Sequence, residues 1–237
     1  MNIKKLTKAV SSVLLVFATM LAVGCQKDFD GVLKLATESF DGDGTKLAVN
    51  GTHSTWANGD QVRINSAVYT VSVNGSNEAS ISGVPGAENF YAVYPGSLCG
   101  ELTTSSATLN LPSTYQYRTS GGKQILELPM MGYLDPNSDS PYLMFNHVTG
   151  ALVIRIRNGY GTAGGMFIDT IQVFSNNFKM NGSFSVDVTD PSSAGCETTG
   201  NDDEKKVTML FQNESLNLAY NDTADVMLPV PAVSGSP

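Results

Sequence analysis

The chain has 237 residues, of which 41% are hydrophobic and 15% are charged, and its formal net charge is −8. It carries 22 acidic and 14 basic side chains, and beyond residue 24 the basic ones form no cluster that could follow a phosphate backbone. The composition therefore argues against a nucleic-acid-binding protein, and the length fits one large β domain or two small ones.

The first 24 residues have the features of a secretory signal peptide. Lys4, Lys5 and Lys8 form a positively charged beginning. The apolar stretch from Ala9 to Val23 follows, and it is shorter than the roughly 20 residues that span a bilayer. We therefore expect residues 1–24 to be removed from the mature protein.

The signal ends in small residues before a cysteine, Leu21-Ala22-Val23-Gly24-Cys25. This order resembles a lipobox, in which the cysteine thiol is acylated and begins the mature chain. The alternative is an ordinary signal followed by an incidental cysteine. Because two or more acyl chains hold a protein stably on a membrane, we expect Cys25 to anchor this one.

Lipidation of Cys25 leaves two further cysteines, Cys99 and Cys196. Outside the cytoplasm they can form a disulfide, provided that the fold brings their Cα atoms within about 7 Å. Two isolated cysteines do not supply the ligand set of a zinc site. The sequence leaves the disulfide open.

Short segments with alternating apolar and polar residues predict β-strands along most of the mature chain. The first is Val32–Thr37, in which Leu33 and Leu35 share one face. The alternative for residues 26–44 is a flexible spacer. Further alternating segments occupy residues 69–73, 107–111, 152–157, 184–188 and 207–211.

Asn-Gly pairs separate several of these segments, at Asn50-Gly51, Asn58-Gly59, Asn74-Gly75 and Asn181-Gly182. Both residue types tolerate the positive φ angles that tight hairpins need. With no helical stripe of ten or more residues in the mature chain, the pattern predicts an all-β fold, specifically an antiparallel β-sandwich.

Motifs for catalysis are absent from the sequence. Its two histidines are His53, in a polar run, and His147, at a strand junction, where we expect a hydrogen-bonded core or rim residue. The chain contains no Gly-x-Ser-x-Gly elbow, His-Glu-x-x-His motif or phosphate-binding loop. We therefore expect neither enzymatic activity nor a cofactor.

Two acidic segments are candidates for a metal site. Asp41-Gly-Asp43-Gly-Thr45 begins like a calcium loop, but Thr52 stands where that loop requires Glu. Asn201-Asp-Asp-Glu204 lies in a long polar stretch. We expect both to be solvated turns and predict no metal site.

Four aromatic residues are candidates for contact with a ligand. Trp56 lies beside a Gly-Asp turn that leads into a strand, which favours a core position over a sugar-stacking platform. Tyr115, Tyr117 and Tyr160 have polar neighbours in the sequence, which favours exposed positions.

A series of motifs across residues 56–230 resembles the fimbrillin-like lipoprotein family, the major and minor fimbrial subunits of Bacteroidales. No single motif is specific, but their order is. The matches are Trp56-Ala-Asn-Gly-Asp60, Asn89-Phe-Tyr91-Ala-Val-Tyr94-Pro95, Leu111-Pro112, Leu128-Pro129-Met130-Met131, Met144-Phe145-Asn-His147-Val148-Thr-Gly150, Ile168-Asp-Thr-Ile171 and Gly182-Ser-Phe-Ser-Val186.

The resemblance implies a transthyretin-like β-sandwich over residues 45–237, preceded by a lipidated cysteine, leader and first strand at 25–44. It implies a fimbrial subunit, or a fimbria-associated anchor or adhesin, that assembles when another subunit's strand replaces its own first strand. The expected partners are other fimbrial subunits or surface ligands of host or bacterial cells. The family's second domain is expected to be absent.

Other features bear on the same resemblance. Members that polymerise are cut after an arginine, whereas here the first arginine after Cys25 is Arg63, inside a predicted strand. Gln26-Lys27-Asp28 resembles a signal for export to the outer face of the outer membrane. Asp222-Thr223-Ala224 resembles an O-glycosylation motif, as does Asp169-Thr170-Ile171, but Thr170 lies in a predicted strand, so Thr223 is the candidate.

A function of another class stays open at this point. A surface lipoprotein that binds glycans for a polysaccharide uptake system would also combine a lipid anchor, an acidic leader and β-sandwiches. An exposed pair of coplanar tyrosines would favour that alternative, and a groove or displaceable first strand would favour the fimbrial hypothesis.

Overall fold

The structure is a computed structural model that describes residues 29–37, 56–74, 78–120, 123–124, 126–140, 142–159, 165–189, 201–212 and 215–231. The predicted signal peptide, Cys25 and the segment from residue 38 to 55 lie outside these ranges. Within the ranges the chain forms β-strands and one short 3-10 helix, Gly96–Leu98.

The strands are β1 (Val32–Thr37), β2 (Gln61–Ile64), β3 (Ala67–Thr70), β4 (Ser72–Val73), β5 (Ala79–Ser82), β6 (Phe90–Tyr94), β7 (Cys99–Leu102), β8 (Ser106–Leu111), β9 (Thr114–Gln116), β10 (Thr119–Ser120), β11 (Lys123–Gln124), β12 (Met130–Leu134), β13 (Tyr142–His147), β14 (Thr149–Arg157), β15 (Met166–Ile168), β16 (Thr170–Phe174), β17 (Gly182–Asp187), β18 (Lys206–Leu210), β19 (Leu216–Leu218) and β20 (Thr223–Pro231).

The largest sheet closes on itself. Its strand order is β3-β2-β6-β12-β13-β1-β5-β4. The two edge strands, β3 and β4, are consecutive in the chain and are separated by Val71 alone. The backbone of Val71 bonds to the preceding turn, donating to Asp60 O at 2.8 Å and accepting from Gly59 N at 3.1 Å. One extended segment therefore pairs with β2 at its start and with β5 at its end.

The first core cluster lies inside this closed sheet, where side chains from every strand meet. Alternation within the strands selects its members, because every second residue points inward. They are Leu33, Leu35, Val62, Ile64, Val71, Ala79, Ile81, Val84, Phe90, Ala92, Met130, Leu134, Leu143 and Phe145.

A second sheet, of order β17-β8-β7, covers part of the outer face of the first. Tyr91 and Val93 of β6 and Met131 of β12 point to this side. They pack against Leu109 of β8 and Val186 of β17 in a second core cluster. Consequently β6 and β12 are buried on both faces, as the central strands of a sandwich are.

The third core cluster joins the remaining sheets, β16-β18-β9, β14-β20 and β15-β19. Its buried members include Val207, Met209 and Phe211 from β18 and its end, with Val226 and Leu228 from β20. Val207, Met209 and Phe211 are the alternating apolar positions that the sequence predicts for residues 207–211.

The predicted all-β, sandwich-like fold is confirmed. The first strand lies at Val32–Thr37, as predicted. Gly59 and Gly182 have the positive φ angles, 95° and 92°, that Asn-Gly pairs favour, but only Asn58-Gly59 lies in a turn, since Gly182 is the first residue of β17. One feature differs from the antiparallel prediction, since β1 runs parallel to β13 and β9 runs parallel to β18.

The 3-10 helix lies very close to β2 because Gly96 has no side chain. A Cβ atom at Gly96 would lie 2.9 Å from the backbone N of Arg63. We expect Gly96→Ala to force the backbone apart and lower the free energy of unfolding by about 1–3 kcal/mol, measured by urea denaturation. In the control, Gly86→Ala, the new Cβ meets only a Phe29 ring atom at 3.9 Å. Equal stability of the two variants would contradict this account of the contact.

Candidate strand-insertion site

The first strand occupies the middle of the largest sheet and not its edge. β1 runs parallel to β13, with Lys34 opposite Tyr142 and Thr37 opposite Phe145. On its other side β1 runs antiparallel to β5, with Val32 opposite Ser82. The backbone of β1 therefore bridges two strands that would otherwise be unpaired on these sides.

Alternate side chains of this segment fill the core. Leu33 and Leu35 are 2% and 5% exposed, and both belong to the first core cluster. Phe29 packs against the same cluster, with its ring centroid 5.0 Å from that of Phe90. Val32 and Lys34 lie on the outer face. The side chains of Phe29, Leu33 and Leu35 therefore fill part of the interior of the closed sheet.

The start of the segment is fixed by its backbone. Gly31 adopts a φ of 78°, a conformation that favours glycine. Its carbonyl oxygen accepts a hydrogen bond from Val84 N at 3.1 Å. The Asp30 carboxylate accepts another from Val32 N at 3.0 Å. The chain is therefore turned into the sheet at Gly31.

An ion pair marks the outer face of β1. Lys34 Nζ lies 2.5 Å from Glu78 Oε1. The hydrogen bond and charge of Lys34 hold the pKa of Glu78 below its usual value, and Glu78 raises the pKa of Lys34 in return. Both side chains are open to solvent, so the pair contributes little to stability and more to the register of β1 on β5.

Withdrawal of β1 would leave facing edges on β5 and β13 and an opening into the first core cluster. Unpaired backbone groups on such edges and apolar pockets between them are what an extended peptide segment binds. The arrangement can hold or exchange a β-strand, and it requires no covalent chemistry.

Cys99, Thr170 and Thr223, which were named from the sequence, lie apart from this site. Cys99 is buried in the second core cluster, where its thiol lies 3.6 Å from Glu101 O and burial raises its pKa. Cys25 and Cys196 lie outside the described residues, so lipidation and the disulfide stay predictions. Thr223 is exposed at the first position of β20. Thr170 is likewise exposed at the first position of β16, so strand position does not separate the two.

The structure confirms the predicted position of Trp56 and contradicts the predicted positions of Tyr115 and Tyr117. Trp56 packs against the first core cluster, with edge-on contacts to Tyr94 and Phe145 at centroid distances of 5.1 and 5.0 Å, which confirms the core prediction. The predicted exposure of Tyr115 and Tyr117 is wrong. Both are half-buried against the third core cluster, because their strand turns these rings inward while Thr114 and Gln116 face solvent. Tyr160 lies outside the described residues.

The structure also contains a shallow groove of about 240 Å³ that the sequence does not reveal. It lies between the 3-10 helix and β9. Burial raises the pKa of Tyr115, which lines it. No local motif signals this groove, because its two walls are brought together by the packing of separate sheets. Its lining residues are Pro95, Ser97, Leu98, Pro112, Thr114, Tyr115, Gln116, Arg118, Leu126 and Glu127.

Two further features concern the binding of a metal ion and the crossing of a membrane. The described residues contain no group of three His, Cys, Asp or Glu side chains that could hold a metal ion. The segment Asn201–Glu204 forms a turn in which Glu204 Oε2 accepts from Asn201 N at 3.0 Å, whereas Asp41 and Asp43 lie outside the described residues. In the part of the chain that the structure describes, no helix is long and apolar enough to cross a membrane.

Comparison with known proteins identifies no relative: no protein family model, no curated protein and no solved structure matches this chain.

The burial of β1 gives a direct prediction for stability. Leu35→Ala removes a side chain from the first core cluster and leaves a cavity, so we expect the free energy of unfolding to fall by about 2–5 kcal/mol. Lys34→Ala, on the outer face of the same strand, is the matched control and should cost much less, because its ion pair is open to solvent. Chemical denaturation of the chain from residue 26 measures both. Similar small losses would indicate that β1 does not complete the core.

His147 gives a prediction for pH dependence. This residue is half-buried, and burial lowers its pKa to about 4 from the ordinary 6.5. The unfolded chain therefore binds more protons between these values, so the contribution of neutral His147 is complete above about pH 6.5 and is lost as the pH falls towards 4. We expect His147→Gln to flatten the stability profile between pH 7 and 5 by roughly 1–2 kcal/mol, after allowance for partial solvent exposure. Parallel profiles for the two proteins would contradict this.

Proposed function

We propose that this protein is a lipid-anchored surface subunit, or an anchor or adhesin, of a fimbria, and that it assembles by β-strand complementation. The observation that carries the proposal is the position of β1, which fills the middle of a closed sheet from the end of the chain nearest the candidate lipid. The ordered motifs of the fimbrillin-like family support it as a resemblance.

The energetics of β1 suit an exchangeable strand. Each buried leucine contributes roughly 1.5–3 kcal/mol, so Leu33 and Leu35 together make β1 worth several kcal/mol to the fold. Another segment that offers apolar side chains at the same alternate positions would regain this energy and the backbone hydrogen bonds. Complementation is therefore a replacement of one strand by another of the same pattern.

The proposed membrane attachment follows from Cys25 and its distance to the fold. Phe29, the first described residue, already packs on Phe90, and it lies only four positions after Cys25. Such a link spans roughly 14 Å at most. A lipid on Cys25 would therefore hold the domain close to the outer membrane, with β1 as the element that transmits the tether to the fold.

The two described tyrosines among the candidates for glycan binding do not form the arrangement that would favour that alternative. Tyr115 and Tyr117 pack against the third core cluster, with the Tyr117 ring centroid 4.5 Å from that of Phe211, so they present no exposed coplanar pair. Tyr115 does line the shallow groove, but with no second tyrosine among the groove's lining residues. For this reason we place the fimbrial function first.

Strand exchange can be tested with a nicked chain. A protease recognition sequence placed within residues 38–55 and then cleaved would leave β1 held by non-covalent contacts alone. We expect a fluorescent peptide of residues 29–37, added in excess under mild denaturant, to replace β1 and to co-migrate with the domain. The same peptide with Leu33→Asp and Leu35→Asp should not enter, since charges cannot occupy the core. Absence of exchange for both peptides would refute complementation at this site.

The anchor can be tested separately in cells. Cys25→Ser should release the protein from membranes and abolish metabolic labelling by fatty acid, since the thiol is the predicted acylation site. Ser12→Ala, within the apolar signal, is the control and should leave both unchanged. Full fatty-acid labelling of the Cys25→Ser protein would show that the lipoprotein assignment is wrong.

A further inference from the structure

We propose that the strand-insertion site selects its strand by charge as well as by apolar pattern, and that Glu78 is the residue that reads the charge. The preferred strand would carry the pattern Gly-x-apolar-basic-apolar, which residues 31–35 display in the strand that occupies the site. This inference rests on the proposed complementation and adds the chemistry of the strand that the site accepts.

The apolar side chains of β1 do not by themselves decide which strand fits. Leu33 and Leu35 point inward and are 2% and 5% exposed. A slip of one residue would turn both side chains outward, but a slip of two residues would keep the same face of the strand towards the core. Any strand with alternating apolar residues meets this requirement. Selection of one strand over another therefore depends on further contacts.

Gly31 supplies the first of these contacts. Its φ angle is 78°, and its carbonyl oxygen accepts a hydrogen bond from Val84 N at 3.1 Å. A slip of two residues in either direction would bring Phe29 or Leu33 to this place, in a conformation that residues with a side chain rarely adopt. The glycine therefore fixes the register of the inserted strand.

Glu78 supplies the second contact and belongs to the receiving side of the site. It precedes β5, and its Oε1 lies 2.5 Å from Lys34 Nζ. Asn74, the residue after β4, holds Glu78 without help from β1. Asn74 Oδ1 accepts from Glu78 N at 3.0 Å, and Asn74 Nδ2 donates to Glu78 Oε2 at 3.4 Å. These bonds would keep the carboxylate beside the site when β1 withdraws.

The pair of Lys34 and Glu78 suits selection better than stabilisation. Both side chains are open to solvent, so their attraction is weak. An acidic residue at the place of Lys34 would instead meet a carboxylate of the same sign, and like charges that face each other oppose strand pairing. Tyr142, opposite Lys34 on β13, brings no positive charge to offset this repulsion. The difference between a basic and an acidic strand therefore exceeds the attraction of the ion pair alone.

Competition between peptides on the nicked chain tests the selection by charge. Unlabelled peptides of residues 29–37, either unchanged or with Lys34→Glu, compete with the fluorescent peptide for the domain. We expect the unchanged peptide to compete roughly fivefold better at low salt, and the ratio to fall as salt screens the charges. In a Glu78→Lys domain the preference should reverse. The matched control is Glu101→Lys, at an exposed position of β7, which changes the net charge equally and should keep the original preference.

A second pair of peptides tests the register in the same assay. Gly31→Ala should weaken competition roughly tenfold, because alanine resists a positive φ angle. Val32→Ala is the control, since this side chain lies on the outer face and is 41% exposed. Equal competition by the two peptides would show that Gly31 does not fix the register.

The outcomes separate this inference from the proposed function. If peptides enter but the Glu78→Lys domain keeps the original preference, selection by Glu78 is wrong while complementation stands. The same conclusion follows if Glu101→Lys reverses the preference as well, because net charge would then explain it. If no peptide enters, the proposed function fails and the selection fails with it.

Discussion

The insertion of β1 between β5 and β13 is the contact on which the closure of the largest sheet depends. Closure requires every neighbouring pair of strands, and β1 supplies two of them. Leu33 and Leu35 also fill the interior that closure creates. Because the second sheet packs on β6 and β12 of the same structure, an opening at β1 would reach the second core cluster only through those strands. The effect of removing β1 should therefore be largest in the first core cluster.

The strand edges differ in how they are protected against pairing with another strand. In β20, Pro229 and Pro231 lack N–H groups and the side-chain amide of Gln124 bonds to the backbone of Met227, and such features prevent unwanted pairing. In β3 and β4 the closure of the sheet joins the two edges into one segment. The β14 edge has neither form of protection among the described residues.

Much of the local structure was predictable, and most of the long-range structure was not. Alternating residues give β1 its bounds and its buried face, and the Asn58-Gly59 pair gives a turn. The place of β1 in the sheet depends on pairing with residues about a hundred positions away, which local patterns do not encode. Tyr115 and Tyr117 were misjudged because polar neighbours in a strand face the opposite side from the ring. The contact of Gln124 with Met227 joins residues 103 positions apart and has no local signature.

The order of events during folding links the stability of β1 to its proposed exchange. β1 is the first strand of the chain, yet it pairs with β13, which follows it by more than a hundred residues. Non-local pairs form late, because the chain must first lose the entropy of closing a long loop. Until then β5 and β13 present an open site and the apolar face of the first core cluster. During this interval the strand of another subunit, under the proposed function, would meet the same edges as β1, so the pairing that completes the monomer and the pairing that would join subunits would compete for one site.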